Sequence, residues 1–154
     1  MILVTLGTQK QQFNRLLEAL ENSNINDRIV VQAGYTKFDS KKMEIFDFIP
    51  YDKMDKLIKE CDLVITHGGT GSIIMPLKQS KKVIACPRLM KYLEHVDNHQ
   101  TEIVEIFSEE KYLLAFNEND SLDDIYKSSL TFKPKKYISN TQKFINHLKK
   151  EINS

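Results

Sequence analysis

The sequence predicts an α/β domain in which about six mostly parallel strands form one sheet, with helices on both faces. Short apolar runs that end at glycine or proline alternate with stretches whose apolar residues recur at helical spacing. The chain has 154 residues, of which 41% are apolar and 28% charged, a composition typical of a globular domain with a substantial core. We therefore expect a single domain over residues 1–154, with a helical, lysine-rich part over about residues 120–154.

The predicted strands are short apolar or alternating segments, and most of them are closed by a glycine or a proline. They cover residues 2–6, 28–33, 42–48, 63–66, 82–86 and 112–115. The carboxyl ends of parallel strands meet at one edge of a sheet, and ligands bind beyond that edge. The glycine-rich and polar segments of this chain follow its strands, so we expect a binding site at the carboxyl edge.

Helices are predicted between the strands from apolar spacing and from capping residues. Phe13, Leu16, Leu17 and Leu20 mark the first helix, and Pro50 precedes the second. Further helices are expected near residues 73–79, from Asp97 or Asn98 to about residue 107, after the capping pair Asp120 and Ser121, and over residues 138–152.

A glycine-rich turn directly follows the fourth predicted strand, with the sequence Thr66-His67-Gly68-Gly69-Thr70-Gly71-Ser72. Glycine allows backbone N–H groups to approach a ligand closely, and a helix N-terminus adds partial positive charge. A histidine and two hydroxyl side chains supply further donors, so the turn predicts an anion site for a nucleotide or another phosphorylated ligand. A tight turn without a ligand is the alternative. The chain lacks both the dinucleotide-binding and the P-loop glycine patterns.

A second polar cluster, Glu94-His95-Val96-Asp97-Asn98-His99-Gln100, follows the fifth predicted strand and opens a helix. Many directional donors and acceptors in a short segment are typical of sites that bind sugar hydroxyls. Helix capping and a metal site are the alternatives. Against a metal, the i, i+4 pair of His95 and His99 lacks the acidic base of the zinc-enzyme motif, and no thiolate is nearby. His95 is a candidate general base because histidine is the side chain type that exchanges protons near neutral pH.

Charge and cysteine content exclude several classes of protein. A net charge of +1 provides no basic field for nucleic acid. Cys61 lies just before one predicted strand and Cys86 ends another, and both are expected to be reduced core residues of a cytoplasmic protein. No segment approaches the ~20 apolar residues of a membrane span, so we expect contact with a membrane only through a surface or a partner. The lysine-rich stretch 133–150 is such a surface, or simply a solvated helix face.

Four motifs in order resemble glycosyltransferase family 28, C-terminal half. They are Val4-Thr5-Leu6-Gly7-Thr8-Gln9 with Phe13-Asn14-Arg15-Leu16, the segment from Asp62 to Ser72, the segment from Lys81 to Arg88, and the segment from Glu94 to Gln100. Within that family the chain is most similar to bacterial capsular and exopolysaccharide glycosyltransferase subunits, and it is similar to the soluble subunit of the eukaryotic dolichol-linked N-acetylglucosaminyltransferase. The resemblance covers about residues 1–108. It implies a Rossmann-like domain that forms the nucleotide-sugar-binding half of a GT-B enzyme.

The resemblance also implies roles for individual residues, with UDP-sugar as the donor and with neither a metal nor another cofactor. The phosphates would contact Gly7, Thr8 and the turn formed by His67, Gly68, Gly69, Thr70, Gly71 and Ser72. The base would lie against Phe48, Ile49 and Tyr51, and the donor sugar would face Asp97, His99 and Gln100. Arg88, Glu94, His95 and Asn98 complete the expected binding residues, and Arg88 would suit a carboxylated sugar unless it braces its loop.

One position departs from the family pattern. Related enzymes carry a glutamate three residues after the serine of the glycine turn, where it holds the ribose hydroxyls, and this chain has Met75 there. A thioether cannot accept two hydrogen bonds from a diol. Recognition of the ribose must therefore come from elsewhere or be weaker.

The function that the resemblance implies is that of the donor-binding, catalytic subunit of a two-component inverting glycosyltransferase in capsule or exopolysaccharide synthesis. The partner would be a membrane-associated subunit that binds a polyprenyl-diphosphate-linked saccharide, which would hold this chain at the inner face of the membrane. The alternatives are a non-catalytic enhancer of a partner transferase and an epimerase that acts on free UDP-sugar. The sequence identifies neither the donor sugar nor the base.

Overall fold

A computed structural model describes residues 1–138 and contains one six-stranded sheet. Every strand pairs with its neighbours in parallel, which confirms the predicted α/β class. The strands are β1 (Ile2–Thr5), β2 (Ile29–Gln32), β3 (Glu44–Phe46), β4 (Leu63–His67), β5 (Lys82–Cys86) and β6 (Leu114–Ala115).

Helices connect the strands, as the apolar spacing predicts. They are α1 (Asn14–Glu21), α2 (Tyr51–Glu60), α3 (Thr70–Lys78), α4 (His99–Glu109) and α5 (Leu122–Thr131), with a 3-10 turn over Met90–Tyr92. Ser121 is the N-cap of α5 and its side chain accepts the N–H of Asp124, which confirms the predicted cap. Within residues 1–138 no helix is long and apolar enough to cross a bilayer.

The strand order β3-β2-β1-β4-β5-β6 places β1 and β4 at the centre of the sheet. The chain places β2 and β3 on one side of β1 and then β4, β5 and β6 on the other, so the direction of the strand order changes at β1. Where β1 pairs with β4, Thr5 lies opposite Thr66, and the Thr5 hydroxyl donates to the Thr66 hydroxyl at 2.8 Å. The loops after β1 and β4 therefore meet at the switch point, where ligands bind in such sheets.

Two apolar cores cover the two faces of the sheet, because successive side chains of a strand point to opposite faces. On one face, Ile2 and Val4 pack with the apolar side of α1 and with Leu122 of α5. On the other face, Leu3 packs with α2, α3 and α4, including Phe107. The four inner strands β1, β2, β4 and β5 are buried on both sides, which is why they are mostly apolar, whereas the edge strand β3 is largely exposed.

Several element boundaries differ from the predicted ones for local reasons. The third strand was expected over residues 42–48 but covers only Glu44–Phe46, because the Ser40 hydroxyl accepts the N–H groups of Lys42 and Met43 and holds them in a turn. Helix α3 begins at Thr70 rather than near residue 73, since extended Gly69 is its N-cap residue. The helix predicted over residues 138–152 lies outside the described residues, apart from Ile138, which is not helical.

A buried arginine fastens the loop after β1 to the loop after β5. The guanidinium of Arg88, which is 0% exposed, donates to the carbonyl oxygens of Leu6, Gln11 and Glu94 and lies 4.9 Å from the centre of the Phe13 ring. Burial lowers the pKa of Arg88 to about 10, so the group stays charged at neutral pH. Its donors point to backbone carbonyls, so Arg88 braces these loops and offers no exposed cation to a carboxylated sugar.

We predict that Arg88→Met lowers the free energy of unfolding by about 3–5 kcal/mol, because it leaves three carbonyl oxygens buried without their donor. The matched control is Arg28→Met. Arg28 makes a two-pronged ion pair with Glu44 but is largely exposed, so its loss should cost at most about 1 kcal/mol. Urea unfolding of both variants measures the difference, and equal losses would contradict a bracing role for Arg88.

Candidate functional site

The glycine turn lies between the end of β4 and the start of α3, as the sequence predicts. The first helical hydrogen bond runs from the Ile73 N–H to the Gly69 carbonyl at 3.1 Å. The N–H groups of Thr70, Gly71 and Ser72 therefore have no acceptor within their own helix. The hydroxyls of Thr70 and Ser72 stand beside these N–H groups on a partly exposed surface. Together they form a group of donors suited to an anion.

The imidazole of His67 lies beneath this turn and explains two of the glycines. The ring is 3% exposed, and its Nε2 lies 3.1 Å from the Ser72 Oγ. A Cβ atom on Gly7 would come within 2.6 Å of Cε1 and Nε2 of the ring, and one on Gly69 would overlap Cε1. Gly7 also has a φ of +81°, which disfavours any side chain. Glycine is therefore required at these two positions because any side chain would collide with the His67 ring, whether or not a ligand binds there.

Burial controls the charge of His67. Desolvation, followed by the nearby positive charge of Arg88, lowers the pKa of His67 to about 4. The imidazole is therefore neutral at physiological pH. It contributes a hydrogen bond to the turn, and it adds no positive charge beneath the anion site.

Three of the residues predicted to contact the ligand, Arg88, Glu94 and Gln100, are buried and form hydrogen bonds within the protein. The Gln100 side-chain oxygen accepts the N–H groups of Gly68 at 2.9 Å and Arg88 at 3.0 Å. Glu94 accepts two N–H groups of Arg15 and the N–H of Leu89. Gln100 and Glu94 are each 3% exposed. Their polar atoms hold loops together, so the geometry favours a positioning role for Arg88, Glu94 and Gln100.

Three neighbours of these supports remain partly exposed at the carboxyl edge. The Asp97 carboxylate lies 3.0 Å from the His95 Nδ1 and 3.4 Å from the His99 Nδ1. Asn98 is the N-cap residue of α4, but its side chain does not cap the helix because its oxygen accepts the Met90 N–H instead. The Asp97 carboxylate accepts the N–H of His99.

Among residues 1–138, no group of three or more His, Cys, Asp or Glu has a metal-binding arrangement. This cluster can present imidazole and carboxylate groups to a sugar.

A cavity of about 240 Å³ adjoins the turn between α2 and α3. It adds residues that the sequence analysis did not select, namely Thr5, Gln32 and Met54, to Gly71, Ser72 and Met75. Thr5 and Gln32 are the last residues of β1 and β2, at the carboxyl edge of the sheet. Their place at a strand end is the sequence signal that could have marked them as ligand-binding candidates. The Gln32 side-chain oxygen accepts the Ile49 N–H at 2.7 Å, which joins the cavity to the predicted base segment.

The predicted base segment is not part of this cavity. Phe48 and Ile49 line a separate groove of about 490 Å³ beside β3, and the Phe48 ring meets Tyr35 edge to face at 5.3 Å. Tyr51 is 77% exposed in the first turn of α2. The structure thus brings Gly7, His67 and the turn together, while the aromatic residues stand further out along the same edge.

We predict that Gly68→Ala lowers the free energy of unfolding by about 1–3 kcal/mol, because its Cβ would lie 2.8 Å from the Gln100 Cβ and 3.0 Å from the Gln100 carbonyl oxygen. Gly71→Ala is the control. No atom lies within 4 Å of a Cβ at this helical position, so the variant should be unchanged or more stable by up to about 1 kcal/mol. Thermal or urea unfolding tests both, and a stable Gly68→Ala protein would contradict the packing described.

We also predict that His67 makes folding stability depend on pH. Above pH 6.5 His67 is neutral in both states, and as the pH falls towards 4 the unfolded chain takes up a proton that the folded chain does not. The free energy of unfolding of the parent should therefore fall by about 3 kcal/mol more than that of His67→Gln between pH 7 and pH 4. Urea titrations at the two pH values measure this difference. Parallel pH profiles would show that His67 is not held neutral by burial.

Known proteins resemble this chain in sequence and in fold. A model of the glycosyltransferase family 28 C-terminal domain matches residues 1–153, well beyond the 1–108 expected from the motifs. The UDP-N-acetylglucosamine transferase subunit ALG13 of Candida albicans is 36% identical over 86 residues, which are 54% of this chain and 27% of that protein. Its Saccharomyces cerevisiae counterpart is 39% identical over 75 residues, 47% of this chain and 34% of that protein. The chain thus spans about a third or less of these relatives.

Solved structures confirm the fold. Their sequence identities to this chain are too low to establish a shared function. The solution structure of ALG13 matches with a TM-score of 0.67 and 21% identity, over 99% of this chain and 96% of that one. The crystal structure of MurG from Acinetobacter baumannii matches with a TM-score of 0.56 and 16% identity, over 83% of this chain and 41% of that one. The predicted Rossmann-like half of a GT-B fold is therefore confirmed.

None of these four proteins is described as a capsular or exopolysaccharide subunit, so the expected likeness to that group is not supported by them. The similarity to the subunit of an N-acetylglucosaminyltransferase is confirmed. With a family match over nearly its whole length, the chain belongs to the family of the glycosyltransferase family 28 C-terminal domain.

Proposed function

We propose that this chain is the donor-binding subunit of a two-component glycosyltransferase that takes its sugar from a UDP-sugar. The start of α3 carries the proposal. N–H groups that have no acceptor in their own helix, the Thr70 and Ser72 hydroxyls and the His67 ring converge there at the switch point of the sheet. The UDP-N-acetylglucosamine transferase subunits that this chain resembles support the choice of donor.

The proposed reaction is an inverting transfer, in which an acceptor hydroxyl displaces UDP from the anomeric carbon. Negative charge then develops on the leaving diphosphate. Fixed N–H and O–H donors stabilise this charge more in the transition state than in the ground state, and they need no reorganisation. The acceptor hydroxyl must also lose its proton. His95, whose Nδ1 lies 3.0 Å from the Asp97 carboxylate, is the candidate base within this chain, and a residue of the partner is the other.

The cavity between α2 and α3 is the proposed place for the nucleoside. Gln32 uses its side-chain oxygen on Ile49, so its amide N–H groups are left to donate to a ligand. Met54 and Met75 offer apolar, adaptable contacts. Among residues 1–138 no carboxylate lines this cavity, so the ribose hydroxyls would lack a two-pronged acceptor there and the donor should bind weakly without a partner.

The donor sugar is proposed to be uncharged, with N-acetylglucosamine as the first to test. The relatives transfer N-acetylglucosamine according to their names. Arg88 is fully buried and engaged, which removes the cation that would have favoured a carboxylated sugar. Asp97 and His99 are partly exposed and remain the proposed contacts to the sugar.

The partner is proposed to be a membrane-associated subunit that binds a lipid-linked saccharide, and capsule or exopolysaccharide synthesis is the proposed context. A GT-B active site lies between two domains, and the MurG match covers only 41% of that enzyme. Lys133 and Lys136 lie in the exposed segment after α5 and suit an anionic membrane surface. Lys143, Lys149 and Lys150, which belong to the same lysine-rich stretch, lie outside the described residues.

Met75 favours one alternative, in which the chain is a non-catalytic enhancer of a partner transferase. A thioether at the ribose position removes a contact that related donor-binding domains use. An enhancer would not bind UDP by itself, whereas a donor-binding subunit would.

We predict that Gly71→Asp lowers the affinity for UDP at least tenfold relative to Gly71→Asn, as measured by isothermal titration calorimetry. The two side chains have nearly the same shape and differ in charge, and a Cβ at residue 71 meets no atom within 4 Å. A carboxylate a few ångströms from a diphosphate costs about 1–4 kcal/mol. An acidic side chain in the first turn of a helix does not destabilise folding, so lost binding would not reflect unfolding.

Uridine is the control ligand because it lacks the phosphates, and both variants should bind it equally. Equal affinities of the two variants for UDP would place the diphosphate elsewhere. Absence of UDP binding by the parent would favour the enhancer, and the titration would then be repeated on a complex with the partner.

A further inference from the structure

We propose that Gln100 is a positioning residue that fixes neutral His67 with its proton on Nε2, so that the Ser72 hydroxyl is free to donate to an anion at the glycine turn. The last step rests on the proposed function, in which that anion is the diphosphate of the donor. The first steps follow from hydrogen bonds among buried groups and do not require a ligand.

The first step is the orientation of the Gln100 carboxamide. Its Oε1 lies 2.9 Å from the N of Gly68 and 3.0 Å from the N of Arg88. Both of these backbone groups are donors, so the atom that they contact must be the oxygen. The other end of the carboxamide, its NH₂ group, then lies 3.1 Å from the His67 Nδ1.

The second step is the tautomer of His67. An NH₂ group can only donate, so the His67 Nδ1 must carry a lone pair and accept. A neutral imidazole has one proton, and it is therefore on Nε2. Desolvation keeps the ring neutral, and the charged and titratable groups that act on it, Arg88 and His95, both oppose a second proton.

The third step is the effect of this tautomer on the orientation of the Ser72 hydroxyl. The Nε2–H of His67 donates to the Ser72 Oγ across 3.1 Å. The hydroxyl accepts that bond and keeps its own proton, which stands among the unpaired N–H groups at the start of α3. In the opposite tautomer Nε2 has no proton, so the Ser72 hydroxyl would donate to Nε2 and would present only its lone pairs to the anion. Gln100 thereby decides whether Ser72 attracts or repels a phosphate.

The direct test is long-range ¹H–¹⁵N correlation spectroscopy of the ligand-free protein, which distinguishes protonated from unprotonated ring nitrogens. His67→Gln identifies the signals of His67. We expect a protonated Nε2 and an unprotonated Nδ1 throughout pH 5.5–8. A protonated Nδ1, or a doubly protonated ring at neutral pH, would overturn the proposal whatever the protein binds.

Gln100→Glu tests the cause of the tautomer with an almost unchanged shape. One carboxylate oxygen can still accept from Gly68 and Arg88, and the other then faces the His67 Nδ1 as an acceptor. Two acceptors cannot face each other without a proton, and an imidazole is more basic than a carboxylate, so the proton should lie on the His67 Nδ1. A spectrum of folded Gln100→Glu identical to that of the parent would show that Gln100 does not set the tautomer.

The consequence for binding is tested by titrating Ser72→Ala with UDP and with uridine. The variant should bind UDP about 10- to 100-fold more weakly, which is the usual effect of losing a hydrogen bond to a charged group, and it should bind uridine as the parent does. Thr101→Val is the matched control. The Thr101 hydroxyl is buried without a partner among residues 1–138, so neither affinity should change.

Unchanged UDP affinity of Ser72→Ala, or equal losses for UDP and uridine, would overturn the role of Ser72 at the anion. Failure of the parent to bind UDP, both alone and in a complex with its partner, would overturn the proposed function and this last step together. The tautomer and its dependence on Gln100 are judged separately, because both spectra are recorded without ligand.

Discussion

The carboxamide of Gln100 on α4 joins the turn after β4 to the loop after β5. Its oxygen binds the backbone of the turn after β4 and the backbone of the loop after β5, and its nitrogen reaches the imidazole of His67. The position of the glycine turn relative to its neighbours therefore depends on one buried side chain on α4. A rigid arrangement of donors stabilises a developing charge more effectively than a mobile one, because it requires no reorganisation during the reaction.

A second set of buried polar groups supports the same edge. Arg88 binds carbonyl oxygens of two loops, while Glu94 pairs with Arg15 of α1 and caps the Leu89 N–H. Buried charges are tolerated only where hydrogen bonds satisfy them, so each of these residues depends on the others. The polar cluster after β5 thus has two layers. An inner layer holds the loops, and an outer layer of His95, Asp97 and His99 remains available to a ligand.

The candidate anion site is built mainly from neutral donors. His67 is neutral, Arg88 is buried away from the surface, and helix N–H groups and hydroxyls supply the polarity. Such a site can stabilise a leaving diphosphate but holds it less tightly than a cluster of cations would. The Met75 thioether, which lines the neighbouring cavity, offers no strong acceptor to a diol. Weak donor binding by the isolated chain would suit an active site that is completed only between two chains.

The sequence by itself determined the α/β class, the six strands, the strand–turn–helix placement of the glycines and the family, because these features depend on local apolar periodicity and on short motifs. It did not separate the polar residues that contact solvent from those that are buried. Arg88, Glu94 and Gln100 look like ligand-binding residues in sequence, yet partners such as Leu6, Arg15 and Gly68 lie 82, 79 and 32 positions away and bury them. Only the tertiary structure decided these roles, because hydrogen bonds between distant loops leave no periodic trace in the chain.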